Sequence, residues 1–191
     1  MFHTIGPGMA KRMRELEEIH RMDKDRLRQI PPETGKFLAL LAVGAPKGVW
    51  LELGTSGGYS AMWISLACRA RDTRLVTVDH DIEKTRLAKE TFALAGMQDI
   101  VEVIHDESLS HLRRYREGEL GFCFIDAGGG IGTYDIVVPK LMPDGLLIYD
   151  NVISHRERAR PTVEKAMSDE RVDALVVPIG SGELVCRRCR T

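Results

Sequence analysis

At five places an acidic residue stands at, or just beyond, the end of an apolar, strand-prone run. Glu52 lies near the end of Val49–Leu53, and Asp79 closes Leu75–Asp79. His105-Asp106 follows Val101–Ile104, Asp126 follows Leu120–Ile125, and Asp150-Asn151 follows Leu146–Tyr149. If these runs are parallel strands, their ends share one edge of one sheet. Carboxylates gathered there repel one another unless a cation, a proton or hydrogen-bond donors offset them. Asp126, Asp150 and Asn151 are hard oxygen donors, and such a set with water suits Mg2+ or Ca2+ better than zinc. Each residue alone has a structural reading, because Asp commonly ends strands, makes turns and caps helices. Their coincidence at one edge points to a functional cluster.

The stretch Leu51-Glu52-Leu53-Gly54-Thr55-Ser56-Gly57-Gly58-Tyr59-Ser60 couples this edge to a ligand. An apolar strand stops at a glycine, small residues follow, and a helical run begins at Tyr59. Glycines let backbone N–H groups approach a ligand closely, and a helix N-terminus favours negative charge. A nucleotide-like cofactor with an anionic end fits. The spacing is Gly-x-Ser-x-Gly rather than the dinucleotide Gly-x-Gly-x-x-Gly, which speaks against a nicotinamide dehydrogenase. Asp79 follows at the distance where an acid accepts from ribose hydroxyls in nucleotide-binding α/β folds. Asp81, with Glu83 behind it, is the better cap for the next helix, which leaves Asp79 for a ligand.

The elements that must position these residues can be read from periodicity. An amphipathic helix is expected over 9–28, with Met9, Met13, Leu16, Ile19 and Leu27 as its stripe. Pro31-Pro32-Glu33 breaks it and opens a second helix that stops near Gly44. Strands at 49–53, 75–79, 101–104, 120–125 and 146–149 then alternate with helices at 58–70, 82–95, 107–116 and 133–141. Pro143-Asp144-Gly145 reads as a turn before the fifth strand. A charged loop, a helix at 161–168 and a hairpin of 172–178 with 183–188 close the chain. Such alternation predicts a doubly wound, mostly parallel α/β sheet in one domain, 1–191, with 1–46 as a helical N-terminal segment. Ligands should bind outside the carboxyl ends of the strands.

Bulk properties narrow the classes. The chain of 191 residues is 43% hydrophobic and 29% charged, with a net charge of −1. Nothing in that balance calls for nucleic acid or a membrane surface as partner. No apolar run is long enough to span a bilayer, and Met1–Met9 does not read as a secretory signal, so a cytoplasmic protein is expected. Cys68 and Cys123 fall in apolar patterns and read as core residues. Cys186-Arg187-Arg188-Cys189 has C-x-x-C spacing but lacks a helix N-terminus or a second ligand pair, and reads as a strand with two thiols.

From about Pro32 to Arg188 the chain resembles the cation-dependent, S-adenosylmethionine-dependent O-methyltransferases of the caffeoyl-CoA and catechol type. The glycine motif carries the resemblance, with Val76-Thr77-Val78-Asp79 and Phe124-Ile125-Asp126-Ala127. So do Leu141-Met142-Pro143-Asp144-Gly145-Leu146-Leu147-Ile148-Tyr149-Asp150-Asn151-Val152 and Pro178-Ile179-Gly180-Ser181-Gly182. The glycine motif marks many methyltransferases; Asp150-Asn151 in register with Asp126-Ala127 is more specific. The resemblance implies a seven-stranded class I methyltransferase (Rossmann-like) sheet with a final antiparallel strand. It implies cofactor contacts from Glu52, Gly54, Ser56, Gly58, Tyr59, Ser60, Asp79, His80, Asp106, Glu107 and Asp126. It implies a divalent cation on Asp126, Asp150 and Asn151, a small catechol-like acceptor, and a homodimer. Family members usually carry Asp-Ala-Asp-Lys where this chain has Asp126-Ala127-Gly128-Gly129, and that lysine is thought to help deprotonate the acceptor. Either the metal alone activates the acceptor here, or another base serves, with His155 the best placed; an ordinary solvated histidine is the alternative. Arg156, Arg158 and Arg160 could attract an acidic acceptor or be plain surface charge. A cation-independent methyltransferase, and a cofactor-binding protein with little catalysis, are the competing readings.

Overall fold

The computed structural model describes residues 2–127 and 130–190. The chain opens with a 3-10 turn, Phe2–Thr4, and the helices α1 (Pro7–Met22), α2 (Lys24–Leu27) and α3 (Pro32–Val43). It continues through β1 (Val49–Leu53), α4 (Tyr59–Arg71), β2 (Leu75–Asp79), α5 (Ile82–Ala95), β3 (Val101–His105) and α6 (Ser108–Leu112). Then come β4 (Leu120–Ile125), α7 (Ile131–Lys140), β5 (Leu141–Tyr149), α8 (Arg156–Ser168), β6 (Val172–Val177) and β7 (Glu183–Arg188). The strands form one sheet in the order β3-β2-β1-β4-β5-β7-β6. β7 runs antiparallel to both its neighbours, and the β1–β5 pairings are parallel. The doubly wound α/β expectation is therefore met, with the antiparallel strand at the C-terminus.

Alternation along the strands divides the core in two. Trp50, Phe122, Phe124 and Ile148 point to one face, where they meet Leu38 of α3, Trp63 and Ile64 of α4, and Phe92 of α5. Leu51, Leu53, Cys123, Ile125, Leu147 and Tyr149 point to the other, against Tyr134, Val137 and Val138 of α7. A parallel strand buried on both faces needs this continuous apolar character. The stripe of α1 packs inside the chain: Met9, Met13 and Leu16 join the first face, and Arg12 Nε donates to Thr91 Oγ1 of α5 at 3.1 Å.

Three elements depart from the sequence expectation. The helix expected over 9–28 is two helices, because Asp23 leaves helical geometry and its carboxylate caps α2 through the Asp25 and Arg26 N–H groups. Helix α8 begins at Arg156, not at 161, so Pro161 stands inside it and forgoes one backbone hydrogen bond. The Pro143-Asp144-Gly145 turn is absorbed into β5 as an irregularity opposite Leu120–Phe122, with Asp144 at φ 65°. Among the described residues no helix is long and apolar enough to cross a membrane. All four cysteines are free, with Cys68, Cys123 and Cys186 buried.

Candidate functional site

The carboxyl edge is pinned one residue beyond β1, β3, β4 and β5. Gly54 N–H donates to Val78 O, Asp106 N–H to Asp79 O, Asp126 N–H to Leu53 O and Asp150 N–H to Ile125 O, at 2.9–3.1 Å. The loop residues that follow therefore start from fixed positions. Over this edge lies a cleft of about 1380 Å3. Of the residues expected to act, Gly54, Ser56, Asp79, His80 and Glu107 line it on one side. Asp126, Asp150, Asn151 and His155 line it on the other.

The glycine turn is built by its backbone. Gly54 has φ 105°, a conformation L side chains rarely adopt, and a Cβ there would lie 3.0 Å from both Ala127 N and Asp126 C. The turn thus passes directly over the end of β4. Gly58, at φ 87°, forms the N-cap position of α4, where a Cβ would meet the Phe92 ring at 2.7 Å. Ser56 N–H donates to Asp79 Oδ2 at 2.8 Å and Asp81 N–H to Asp79 Oδ1 at 3.0 Å, so both oxygens of this buried carboxylate are held. Ser56 Oγ donates to Leu27 O, tying the turn to the end of α2.

Other expected cofactor residues stand behind the cleft wall. Tyr59 OH donates to Glu17 Oε1 of α1 at 2.6 Å, and its ring meets Trp63 edge-on. Ser60 is buried beside Glu52. Glu52 is wholly buried: Thr55 and Thr77 hydroxyls pass a chain of hydrogen bonds to its Oε2, and Oε1 has no partner. Burial, together with the Asp79 charge and against the Ser60 and Thr77 hydrogen bonds, pushes its carboxyl up to about 7. Asp106 does not line the cleft. Its carboxylate takes His111 Nδ1 at 3.2 Å, Arg114 at 2.8 Å and the Glu107 N–H, leaving Glu107, Ser108 and Leu109 to face the cavity.

On the other side the carboxylates face one another. Asn151, in the left-handed region at φ 69°, donates through Nδ2 to Asp126 Oδ1 at 3.0 Å and through its backbone N–H to Asp150 Oδ1 at 2.6 Å. Asn tolerates that conformation better than most residues. Burial, then the Asp150 and Glu52 charges, hold the Asp126 carboxyl well above its ordinary value. Beneath Asp150 lies a residue the sequence reading missed. Glu183, first in β7, is 0% exposed, and neither carboxylate oxygen has a hydrogen-bond donor. Burial and the facing Asp150 carboxyl push it up to about 10. Its signal was available: an ionisable residue opening a strand just before the apolar run Leu184-Val185-Cys186. Among the described residues no three His, Cys, Asp or Glu side chains already stand at metal-ligand spacing. Asp126, Asp150 and Asn151 nonetheless fit a hard cation by chemistry, being hard oxygen donors that line the same part of the cleft.

His155 is exposed at the N-cap position of α8 and lines the cleft. Its Nδ1 pairs with Ser154 Oγ at 3.0 Å, and that hydroxyl reaches Asn151 Oδ1 at 3.3 Å. Of the three arginines, Arg158 lines the cleft; Arg156 and Arg160 do not, and Arg160 lies near Glu164 at 3.8 Å. Gly128 and Gly129, where the resembling family has Asp and Lys, lie outside the described residues.

A glycine turn, a held acid after β2 and an acidic row after β4 and β5, on this strand order, define a class I methyltransferase-like site. Residues 7–189 match the O-methyltransferase family, and the chain belongs to it and is an enzyme of that class. It is 34% identical over 170 residues to the O-methyltransferase imqG of Aspergillus flavus, covering 76% of this chain and 68% of that protein. A catechol O-methyltransferase of Mycobacterium tuberculosis is 29% identical over 126 residues, 65% of this chain and 57% of its own. In fold it is similar to the Bacillus cereus O-methyltransferase in complex with SAH, with TM-score 0.78, 24% identity and 93% and 90% of the two chains covered. The O-methyltransferase TomG of Streptomyces achromogenes, in complex with SAM, gives TM-score 0.79 at 23% identity, covering 97% and 91%.

Proposed function

We propose that the chain methylates a hydroxyl of a small, catechol-like acceptor, using S-adenosylmethionine and a divalent cation held by Asp126, Asp150 and Asn151. The observation that carries this reading is the contact of the glycine turn with the end of β4. Gly54 sits against Asp126 and Ala127, so the place for a cofactor's methionine end adjoins the acidic row. When bound, S-adenosylmethionine supplies an electrophilic methyl group, and a cation supplies charge that lowers the pKa of an acceptor hydroxyl. The chain's own part is alignment: Gly54 and the α4 N-terminus receive the carboxylate end, Asp79 accepts from ribose hydroxyls, and the acidic row orients adjacent acceptor oxygens. His155, which lines the cleft and pairs through Nδ1 with Ser154, is the proposed acceptor of the hydroxyl proton.

The test is methyl transfer from labelled S-adenosylmethionine to a diphenol panel, with Mg2+ or with chelator. Turnover that requires the cation and vanishes in Asp150→Asn supports the reading. Turnover unaffected by chelator overturns the cation's part, and S-adenosylmethionine binding without turnover on any diphenol overturns the acceptor class. Full turnover by His155→Ala removes that residue as base.

A further inference from the structure

We infer that Glu183 is a third carboxylate of the cation site, closing a row that runs Asp126, Asp150, Glu183 across three strands. The inference rests on the cation reading above and adds a ligand to it. Topology makes the row. β7 runs antiparallel to β5, so its first residue, and not its last, lies at the carboxyl edge. Tyr149 pairs with Leu184, and continuing that register sets Asp150 opposite Glu183. Ile125 pairs with Tyr149, which sets Asp126 beside Asp150 in the same way. Ile125, Tyr149 and Leu184 all point into one core face. The residue one step nearer the edge in each case, Asp126, Asp150 and Glu183, therefore turns to the opposite face, and side chains directly opposite across strands have Cβ atoms roughly 5 Å apart.

Glu183 also has no structural occupation. A wholly buried carboxylate ordinarily has donors, because removing it from water costs several kcal/mol otherwise. Here both oxygens lack one, and what faces them is another carboxyl. A Leu at this position would satisfy the burial with no electrostatic cost. The three carboxyls do not already form a metal-holding group; in the proposed site the Glu183 side chain turns its oxygens toward the shared face of Asp126 and Asp150 when the cation binds. Three carboxylates on one ion favour tighter binding than two, since ligand charge count sets affinity in such sites.

The experiment titrates Mn2+ and Ca2+ calorimetrically into the full chain and its Glu183→Gln, Glu183→Leu and Asp150→Asn variants. S-adenosylhomocysteine affinity reports an intact edge, and Tm is read with and without cation. The expected result is a cation affinity at least about tenfold weaker in both Glu183 variants, with a smaller cation-induced rise in Tm. Without cation, their Tm holds or rises, because a buried acid has been removed; a merely structural Glu183 would lower it. Cation affinity within about threefold of the parent in both Glu183 variants overturns the role of Glu183 and leaves the cation reading standing. No cation binding by the parent, or binding undiminished in Asp150→Asn, overturns both. Loss of S-adenosylhomocysteine binding in both Glu183 variants assigns Glu183 to holding the edge together and overturns the inference.

Discussion

The two sides of the cleft treat their carboxylates in opposite ways. On the β1–β2 side, Asp79 is met on both oxygens by the N–H groups of Ser56 and Asp81. On the β4–β5–β7 side, Asp126, Asp150 and Glu183 face one another, and the donors supplied to them come from Asn151 alone among the hydrogen bonds of the described residues. The first side is finished: its charge is solvated by backbone, and it can accept hydroxyl hydrogens without rearranging. On the second, burial and the neighbouring carboxyls favour the protonated forms of Asp126 and Glu183, and a cation would favour the charged ones. Glu52 stands between them, buried with one oxygen satisfied through Thr77 and one not.

Breaking the acidic side should have the largest effect. Asp150→Asn keeps the shape and removes a charge, and methyl transfer should fall about a thousandfold, ~4 kcal/mol of barrier, in single-turnover assays. A variant that keeps wild-type turnover would sink the contrast between the two sides.

Glu52→Gln tests the residue between them. The folded carboxyl is raised to about 7 from 4.5, so the folded state holds a proton that the unfolded chain releases. The stability this contributes is fully present below pH 4.5 and is lost as pH rises through 7. On the order of 3 kcal/mol of pH-dependent stability is expected across that window, and the Gln variant should flatten it. Denaturant melts of the cofactor-free protein at pH 4.5, 6 and 8 read this directly. Parallel curves for parent and variant would show that Glu52 does not carry the dependence.

Asp79→Ala should sharpen the comparison from the finished side. S-adenosylmethionine affinity should drop about tenfold, ~1.4 kcal/mol, while cation affinity is unchanged. Equal loss of both by calorimetry would mean that the two sides are one coupled unit. The smallest effect is expected at Arg160→Glu, which faces solvent near Glu164. Stability should move by less than about 0.5 kcal/mol in urea melts. A salt-dependent change in acceptor KM would instead bring the α8 arginines into acceptor capture.

Much of this site was legible in the sequence because parallel strands make it so. Each strand of a doubly wound sheet ends at the same edge, so Asp79, Asp126, Asp150 and Asn151 could be gathered from strand ends alone, and the glycine turn from its composition. Asp106 was gathered by the same logic, yet His111 and Arg114 engage its carboxylate away from the cleft. Partners brought by α6 decide that, and no local pattern announces them. The break at Asp23 was missed because the apolar stripe of α1 continues across it, while the capping geometry that ends the helix is a property of one side chain.

The sequence by itself determined the alternation of strands and helices, the conformationally permissive turn at 54–58 and the acids that follow the parallel strands. Those depend on periodicity and residue type, which are local. Tertiary structure alone decided that Glu183 joins them. Its strand is antiparallel, so a residue at a strand's start reaches an edge otherwise made of strand ends. An antiparallel last strand was expected, but only the pairing of β7 with β5 sets its first residue beside Asp150.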